Sequence, residues 1–248
     1  MQNRIVIVGA SSAIAQHCAR LWVEEGPRNV TLVVRDTSRA IPIADDLRAR
    51  SPASVVDIVQ ADFQDPVAIG ILVDGIAARG AIHTVLIAHG ALPDQAACQN
   101  DLALAQHALY LNGISPLLFA EAFARHMQGT RDARLAIIGS VAGDRGRKSN
   151  YVYGAGKSMV DTYARGMQHR FAGSGLKVVL IKPGPTATPM TAHLVDMATR
   201  LAPVDDVARA IVRAIGQGRA VAYVPGKWRV IMTVIRCMPA IIFNRLNL

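Results

Sequence analysis

In the stretch RIVIVGASSAIA, residues 4–15, a continuously apolar run, Ile5-Val6-Ile7-Val8, ends at Gly9 and passes through Ser11 and Ser12 into Ala13-Ile14-Ala15. A β-branched run of this length predicts a buried strand, and the small residues behind it predict a tight turn into a helix. Over residues 13–25, Ile14, Cys18, Leu21 and Trp22 recur at helical intervals, and Gly26-Pro27 stops the pattern. A second interpretation competes, with Arg4 as the charged start of a secretion signal and Ala13-Ile14-Ala15 as its cleavage site.

The strand and helix alternation then repeats. Apolar, β-branched runs stand at residues 30–34, 55–59, 84–87, 135–138, 177–181 and 220–224, with helical stretches between them. Continuously apolar strands joined by helices predict a parallel sheet covered on both faces, because each right-handed crossover lays a helix on the sheet. The expected fold is therefore α/β, a Rossmann-type doubly wound parallel sheet of about seven strands with helices on both faces. It occupies one domain over residues 1–226, followed by a basic, apolar helical tail over residues 227–248.

Composition agrees with a compact core: 51% of the 248 residues are hydrophobic and only 5% aromatic. Cys18, Cys98 and Cys237 are an odd number, far apart and without Cys-x-x-Cys spacing, which predicts reduced thiols in a cytoplasmic protein and no metal site. The net charge of +9 comes from scattered Lys and Arg with no basic stripe interleaved with aromatics, so nucleic acid is not an expected partner. Charge or proline interrupts every apolar stretch before it reaches the roughly 18 residues of a membrane span.

In doubly wound sheets ligands bind beyond the carboxyl ends of the strands, so residues just behind each strand are read first for function. These are Gly9, Ser11, Ser12, Ala13 and Ile14, then Arg35, then Asp62 and Phe63, then Ala88, His89 and Gly90, and finally Pro183, Gly184, Thr186 and Thr188. Behind the fifth strand stands Ser140, thirteen residues before Tyr153. Tyr153-Gly154-Ala155-Gly156-Lys157 begins a helix near Tyr151, and residues four apart share a helix face. An ammonium beside a phenol favours phenolate and suits the tyrosine to proton transfer with a carbonyl oxygen. Tyr151 lacks a lysine four residues on and is expected to be a packing or pocket residue.

Gly9, Asp62, Ala88-His89-Gly90, Asn112, Ser140, Tyr153, Lys157 and Pro183-Gly184 with Thr188 together make residues 4 to about 225 resemble the short-chain dehydrogenase/reductase family, in its single-domain branch. The resemblance implies that Tyr153 gives a proton to the substrate carbonyl and that Ser140 positions and polarises the same oxygen. By the same resemblance Lys157 lowers the Tyr153 pKa and holds the nicotinamide ribose, and Asn112 anchors a water that links Lys157 to solvent. The residues behind the other strands become the surroundings of a nicotinamide cofactor.

Arg35 precedes Asp36 behind the second strand, and a guanidinium fork matches a 2′-phosphate. NADP(H) is the expected cofactor, with Arg39 as a second contact; NAD(H) is the alternative, with Asp36 turned in to the ribose. His89 is read either as a contact on the adenosine side or as a structural imidazole bonded to backbone. The turn at Gly9 departs from a glycine-rich G-x-x-x-G-x-G pattern at Ala13 and Ala15. Ala15 is accepted where helix and strand pack closely, whereas the Ala13 methyl is expected to push the cofactor outward, towards Arg35 and Ser11. Cleavage at Ala15 would remove this turn, so the secretion-signal interpretation loses.

In the tail, Trp228, Ile231, Met232 and Ile235 recur at helical intervals, Pro239 divides the helix, and Lys227, Arg229, Arg236 and Arg245 are unaccompanied by any acid. Two expectations stand side by side: a helix lying on an anionic membrane surface, and one that closes the pocket or meets another subunit. A narrower resemblance bears on this. Residues 147–154, residues 189–194 including His193 and Leu194, and the basic tail look like the bacterial reductases of decaprenylphosphoryl-2-keto-pentofuranose, although Gly156 and Arg35 depart from them. It implies reduction of a lipid-linked 2-keto sugar at the inner face of the cytoplasmic membrane, a flavin oxidase partner and a homo-dimer or tetramer. Other expectations are a general carbonyl or 3-oxoacyl reductase, or a regulatory protein that binds NADP without catalysis.

Overall fold

The computed structural model describes residues 3–192 and 201–246, so His193 and Leu194 lie outside the described residues. Its seven strands are β1 (Arg4–Val8), β2 (Asn29–Val34), β3 (Val55–Gln60), β4 (Thr84–Ile87), β5 (Ala133–Ile138), β6 (Leu176–Pro183) and β7 (Val221–Val224). They form one sheet in the order β3-β2-β1-β4-β5-β6-β7, and every pairing is parallel. Strand order therefore reverses between β1 and β4, which opens a crevice beyond Val8 and Ile87.

On one face of the sheet lie α1 (Ala13–Glu24), α2 (Ile41–Arg50) and, later in the chain, α8 (Val204–Gly216). Cys18, Trp22, Leu47 and Ile211 pack there on Ile5, Ile7 and Leu32. On the other face lie α3 (Pro66–Ala77), α6 (Ser115–Met127) and α7 (Tyr151–Arg170), where Ile69, Phe119, Phe123 and Val160 cover Val6, Val8 and Val85. Alternate residues of one strand thus feed two cores, which is why β1 is apolar from Ile5 to Val8.

Two short helices, α4 (Gln95–Asn100) and α5 (Leu102–Leu109), lead into a π-helical turn at Tyr110–Ile114 that holds Asn112. The tail divides at Pro239 into α9 (Lys227–Cys237) and α10 (Ala240–Phe243), and α9 packs on β7 and on the 3-10 turn Val141–Asp144. Among the described residues, no helix is long and apolar enough to cross a membrane.

Candidate active site

Beyond the carboxyl ends of β1 and β4 runs a cleft of about 450 Å³, whose walls include Gly9, Ser11, Ser12, Ala13, Ile14, Arg35, Phe63, Ala88, His89 and Gly90. Gly9 has φ +80°, and a Cβ on it would approach the His89 backbone nitrogen to 2.6 Å, so only glycine lets the first turn close against β4. Ser12 makes no side-chain capping bond at the start of α1 among the described residues, leaving the N–H groups of the first turn to face the cleft. These features fit a pyrophosphate held at a helix N-terminus. At the far end stand the exposed Arg35 and Arg39. Asp36 is engaged elsewhere: its carboxylate accepts from the Ser38 hydroxyl at 2.6 Å and from the Ser38 N–H at 2.9 Å, which hold its pKa below the usual carboxylate range.

Asp62 flanks Arg35 at a shallow recess on the same side, and its carboxylate caps the turn at the Gln64 N–H. The cleft continues into a smaller pocket of about 100 Å³ that brings Ser140, Tyr153 and Lys157 together with Pro183, Gly184, Thr186 and Thr188. Ser140 is extended, caps the 3-10 turn by accepting from the Ala142 N–H at 3.0 Å, and bonds Tyr153. Lys157 donates from Nζ to the Ile138 carbonyl at 2.9 Å, and Nζ lies 5.8 Å from the Tyr153 ring centroid.

The electrostatics differ from the expectation drawn from Tyr153 and Lys157. Burial pushes the Tyr153 hydroxyl up, and the opposing influence is the hydrogen bond with Ser140. Burial also brings the Lys157 ammonium down to about 8. Two groups withdrawn from water thus move towards their neutral forms.

Asn112 is fully buried, donates to the Ala108 carbonyl at 2.9 Å and accepts from the Ala91 N–H at 3.0 Å. Its Oδ1 and Lys157 Nζ both flank Gly90: a Cβ there would stand 2.8 Å and 3.4 Å from them. The π-helical turn and α7 touch backbone to backbone. A Cβ at Gly156 would meet Asn112 Cβ at 2.9 Å, and one at Gly154 would meet the Ala142 carbonyl oxygen at 2.9 Å. The glycines of the Tyr-x-x-x-Lys segment therefore seat α7 against both the Asn112 turn and the Ser140 turn.

Two expectations are corrected. The His89 imidazole bonds the Ser115 hydroxyl through Nε2 at 2.9 Å rather than backbone, because it packs inward between Phe63 and Phe119. Tyr151, at the first position of α7, is 44% exposed and neither packs in the core nor lines the pocket of Ser140, Tyr153 and Lys157. Leu111 and Met190 also line the cleft, and nothing in their spacing singled them out. Behind Ser140, Lys182 Nζ pairs with Asp144 and lies 2.8 Å from Asp161, while the Tyr223 hydroxyl donates to Asp144 at 2.9 Å. This buried group ties the serine turn to β6, α7 and β7.

A larger cavity, about 850 Å³, opens at the opposite ends of the strands around Arg134, Arg209 and Arg213, remote from these groups.

A buried serine and lysine converging with a half-buried tyrosine beside a dinucleotide crevice define an NAD(P)-dependent oxidoreductase of CH–OH groups. A family model for short chain dehydrogenase matches residues 3–199, and the chain belongs to that family. An uncharacterized oxidoreductase of Mycobacterium tuberculosis is 29% identical over 243 residues, covering 98% of this chain and 96% of the relative. Cis-4-hydroxycyclohexanecarboxylate dehydrogenase of Sinomonas cyclohexanicum is 28% identical over 76% of this chain and 75% of its own length. Among solved structures, a short-chain dehydrogenase from Sphingobium yanoikuyae in complex with NADPH superposes with a TM-score of 0.80 at 21% identity, covering 99% of this chain and 96% of that one. One from Burkholderia cenocepacia in complex with NADP gives 0.81 at 17% identity over the whole of both chains.

Proposed function

We propose that the protein reduces a ketone to a secondary alcohol with NADPH. The observation that carries this reading is the pocket shared by Ser140, Tyr153 and Lys157, continuous with a cleft that ends at Arg35 and Arg39. Asp36, the residue that would favour NAD, is spent on Ser38, and the two NADP-bound and NADPH-bound structural neighbours share the fold. The cofactor, when bound, supplies the hydride to the carbonyl carbon. Tyr153, held protonated by burial, gives its proton to the carbonyl oxygen, and Ser140 donates a hydrogen bond to the same oxygen. Lys157, near 8, exchanges a proton close to neutral pH and orients the ribose. Asn112 fixes the wall of the pocket beside Lys157, and Gly9, Ser11, Ser12 and Ala13 cradle the phosphates.

For the substrate, we propose an amphipathic ketone, a 2-keto sugar carried on a polyprenyl phosphate. The resemblance of residues 147–154 and of the basic tail supports this choice, as does the seat of that tail against Gly184 on the pocket wall. Such a substrate would be presented at the inner face of the cytoplasmic membrane by a flavin oxidase partner, and family habit suggests a homo-oligomer. Residues 1–226 would form the catalytic domain and residues 227–248 its appended tail. The test is NADPH oxidation against 2-keto polyprenyl sugars, 3-oxoacyl thioesters and steroid-like ketones. Preference for the first supports the full reading; preference for another keeps the reductase and removes the lipid-linked sugar; no turnover with any of them counts against ketone reduction itself.

A further inference from the structure

α9 is apolar on two sides. Trp228, Met232 and Ile235 follow one another at four and three residues and turn inward. Met232 is fully buried, and the Trp228 indole covers Gly184 so tightly that a Cβ there would collide with Nε1. Arg145, five residues past Ser140, fastens this side: Nη1 donates to the Ile235 carbonyl at 2.5 Å and the Met238 carbonyl at 2.6 Å. Its guanidinium also stacks 3.8 Å above the Phe243 ring.

The opposite side is the anomaly. Val230 and Val234, four residues apart, are 69% and 58% exposed, with Ile231 beside them. Ile241 and Ile242 of α10 are 75% and 52% exposed, and Leu246 is also exposed. A helix docked by one apolar face ordinarily turns a charged face to water, so a second apolar face calls for a second apolar neighbour. Its borders name the neighbour. Arg229 and Arg236, seven residues apart, run along one flank, with Lys227 and Arg245 at the ends and no acid between residues 225 and 248.

We infer that the outer face of α9 and α10 seats on an anionic lipid bilayer, its aliphatic side chains entering the headgroup layer while Lys227, Arg229, Arg236 and Arg245 meet lipid phosphates. A second copy of the chain fits this surface poorly. A two-fold contact would set the patch on itself, cations against cations, with no tail carboxylate to pair them. A bilayer offers both the apolar layer and the negative charge. Because Trp228 joins the inner side of the same helix to Gly184, the surface lies at the rim of the catalytic pocket. The assignment holds whichever ketone is reduced.

Cosedimentation of the full chain with phosphatidylcholine vesicles, with and without phosphatidylglycerol and in the absence of substrate, tests the inference. Two variants accompany it: Val230→Ser with Val234→Ser, Ile241→Ser and Ile242→Ser, and the replacement of Lys227, Arg229, Arg236 and Arg245 by Gln. All eight positions are exposed, so the melting temperature and NADPH affinity should stay at wild-type values and show that the variants fold. Wild type should bind the anionic vesicles, release them in high salt and ignore the neutral ones. The glutamine variant should lose about fivefold in partitioning for each cation removed, and the serine variant at least as much overall. Equal binding by all three proteins, or no binding by wild type, would overturn the inference, as would a dimer seen by light scattering that the serine variant abolishes.

Discussion

Acidification from near pH 7 to near pH 5 should weaken the fold through His89 alone by about 2 kcal/mol. The imidazole is buried between Phe63 and Phe119, Nε2 is spent on Ser115, and Nδ1 has no partner among the described residues. Burial above all, helped by the charges of Lys157 and Arg35, brings its pKa down to about 3. In the unfolded chain a histidine titrates at about 6.5. Below that value the unfolded chain takes up a proton that the folded chain refuses until the pH nears 3, so stability falls with falling pH across this window. The slope approaches about 1.4 kcal/mol per pH unit, and about 1.5 units separate the unfolded value from pH 5. Urea unfolding followed by tryptophan fluorescence, for wild type and His89→Gln, isolates this contribution. Glutamine stays neutral and keeps a partner for Ser115, so its intrinsic cost is the same at both pH values while carboxylate effects are shared. The stability gap should narrow by about 2 kcal/mol on acidification. Parallel curves would refute the reasoning and mean that the folded protein protonates His89 freely.

Lys182→Met should destabilise the protein by about 3–5 kcal/mol, because Asp144 and Asp161 would lose the ammonium they share inside the protein. For a chain of this length that lowers the melting temperature by about 10 °C in calorimetry; an unchanged melting temperature would remove the pair from the account. Arg35→Ala should raise the Kd for NADPH about tenfold to a hundredfold, the worth of a charge-assisted bond to phosphate, and leave NADH nearly untouched in titrations of cofactor fluorescence. Equal losses for both cofactors would mean that Arg35 does not meet a 2′-phosphate.

Much of the sheet was legible because its strands are buried on both faces, and such strands announce themselves by local composition alone. Residues 84–87 were read as a strand and are β4, while β6 runs from Leu176 to Pro183, beyond the expected 177–181 at both ends. The helix breaks at Gly26-Pro27 and Pro239 were equally visible, since glycine and proline act on their own backbone. What the sequence withheld depends on residues brought together by the fold. The π-helical turn that buries Asn112 arises where Gly113 and Gly156 let two backbones approach, and neither glycine signals the other across that distance. The Lys182 and Asp144 pair joins positions 38 residues apart with no shared periodicity. The upward direction of the Tyr153 pKa is hidden from the sequence for the same reason. Helical spacing places Lys157 on the correct face, but only the packed structure shows how much water both groups lose.

Turnover and cofactor affinity measured together for wild type and Tyr153→Phe test most directly whether this tyrosine is the proton donor of an NADPH-dependent ketone reduction. The substitution removes one hydroxyl from the pocket and leaves the cleft at Gly9, Ser12 and Arg35 intact. NADPH should bind both proteins equally, while ketone-dependent NADPH oxidation by the variant falls by about 10²–10⁴-fold. A variant that keeps wild-type turnover would contradict the assignment of Tyr153 and the mechanism built on it.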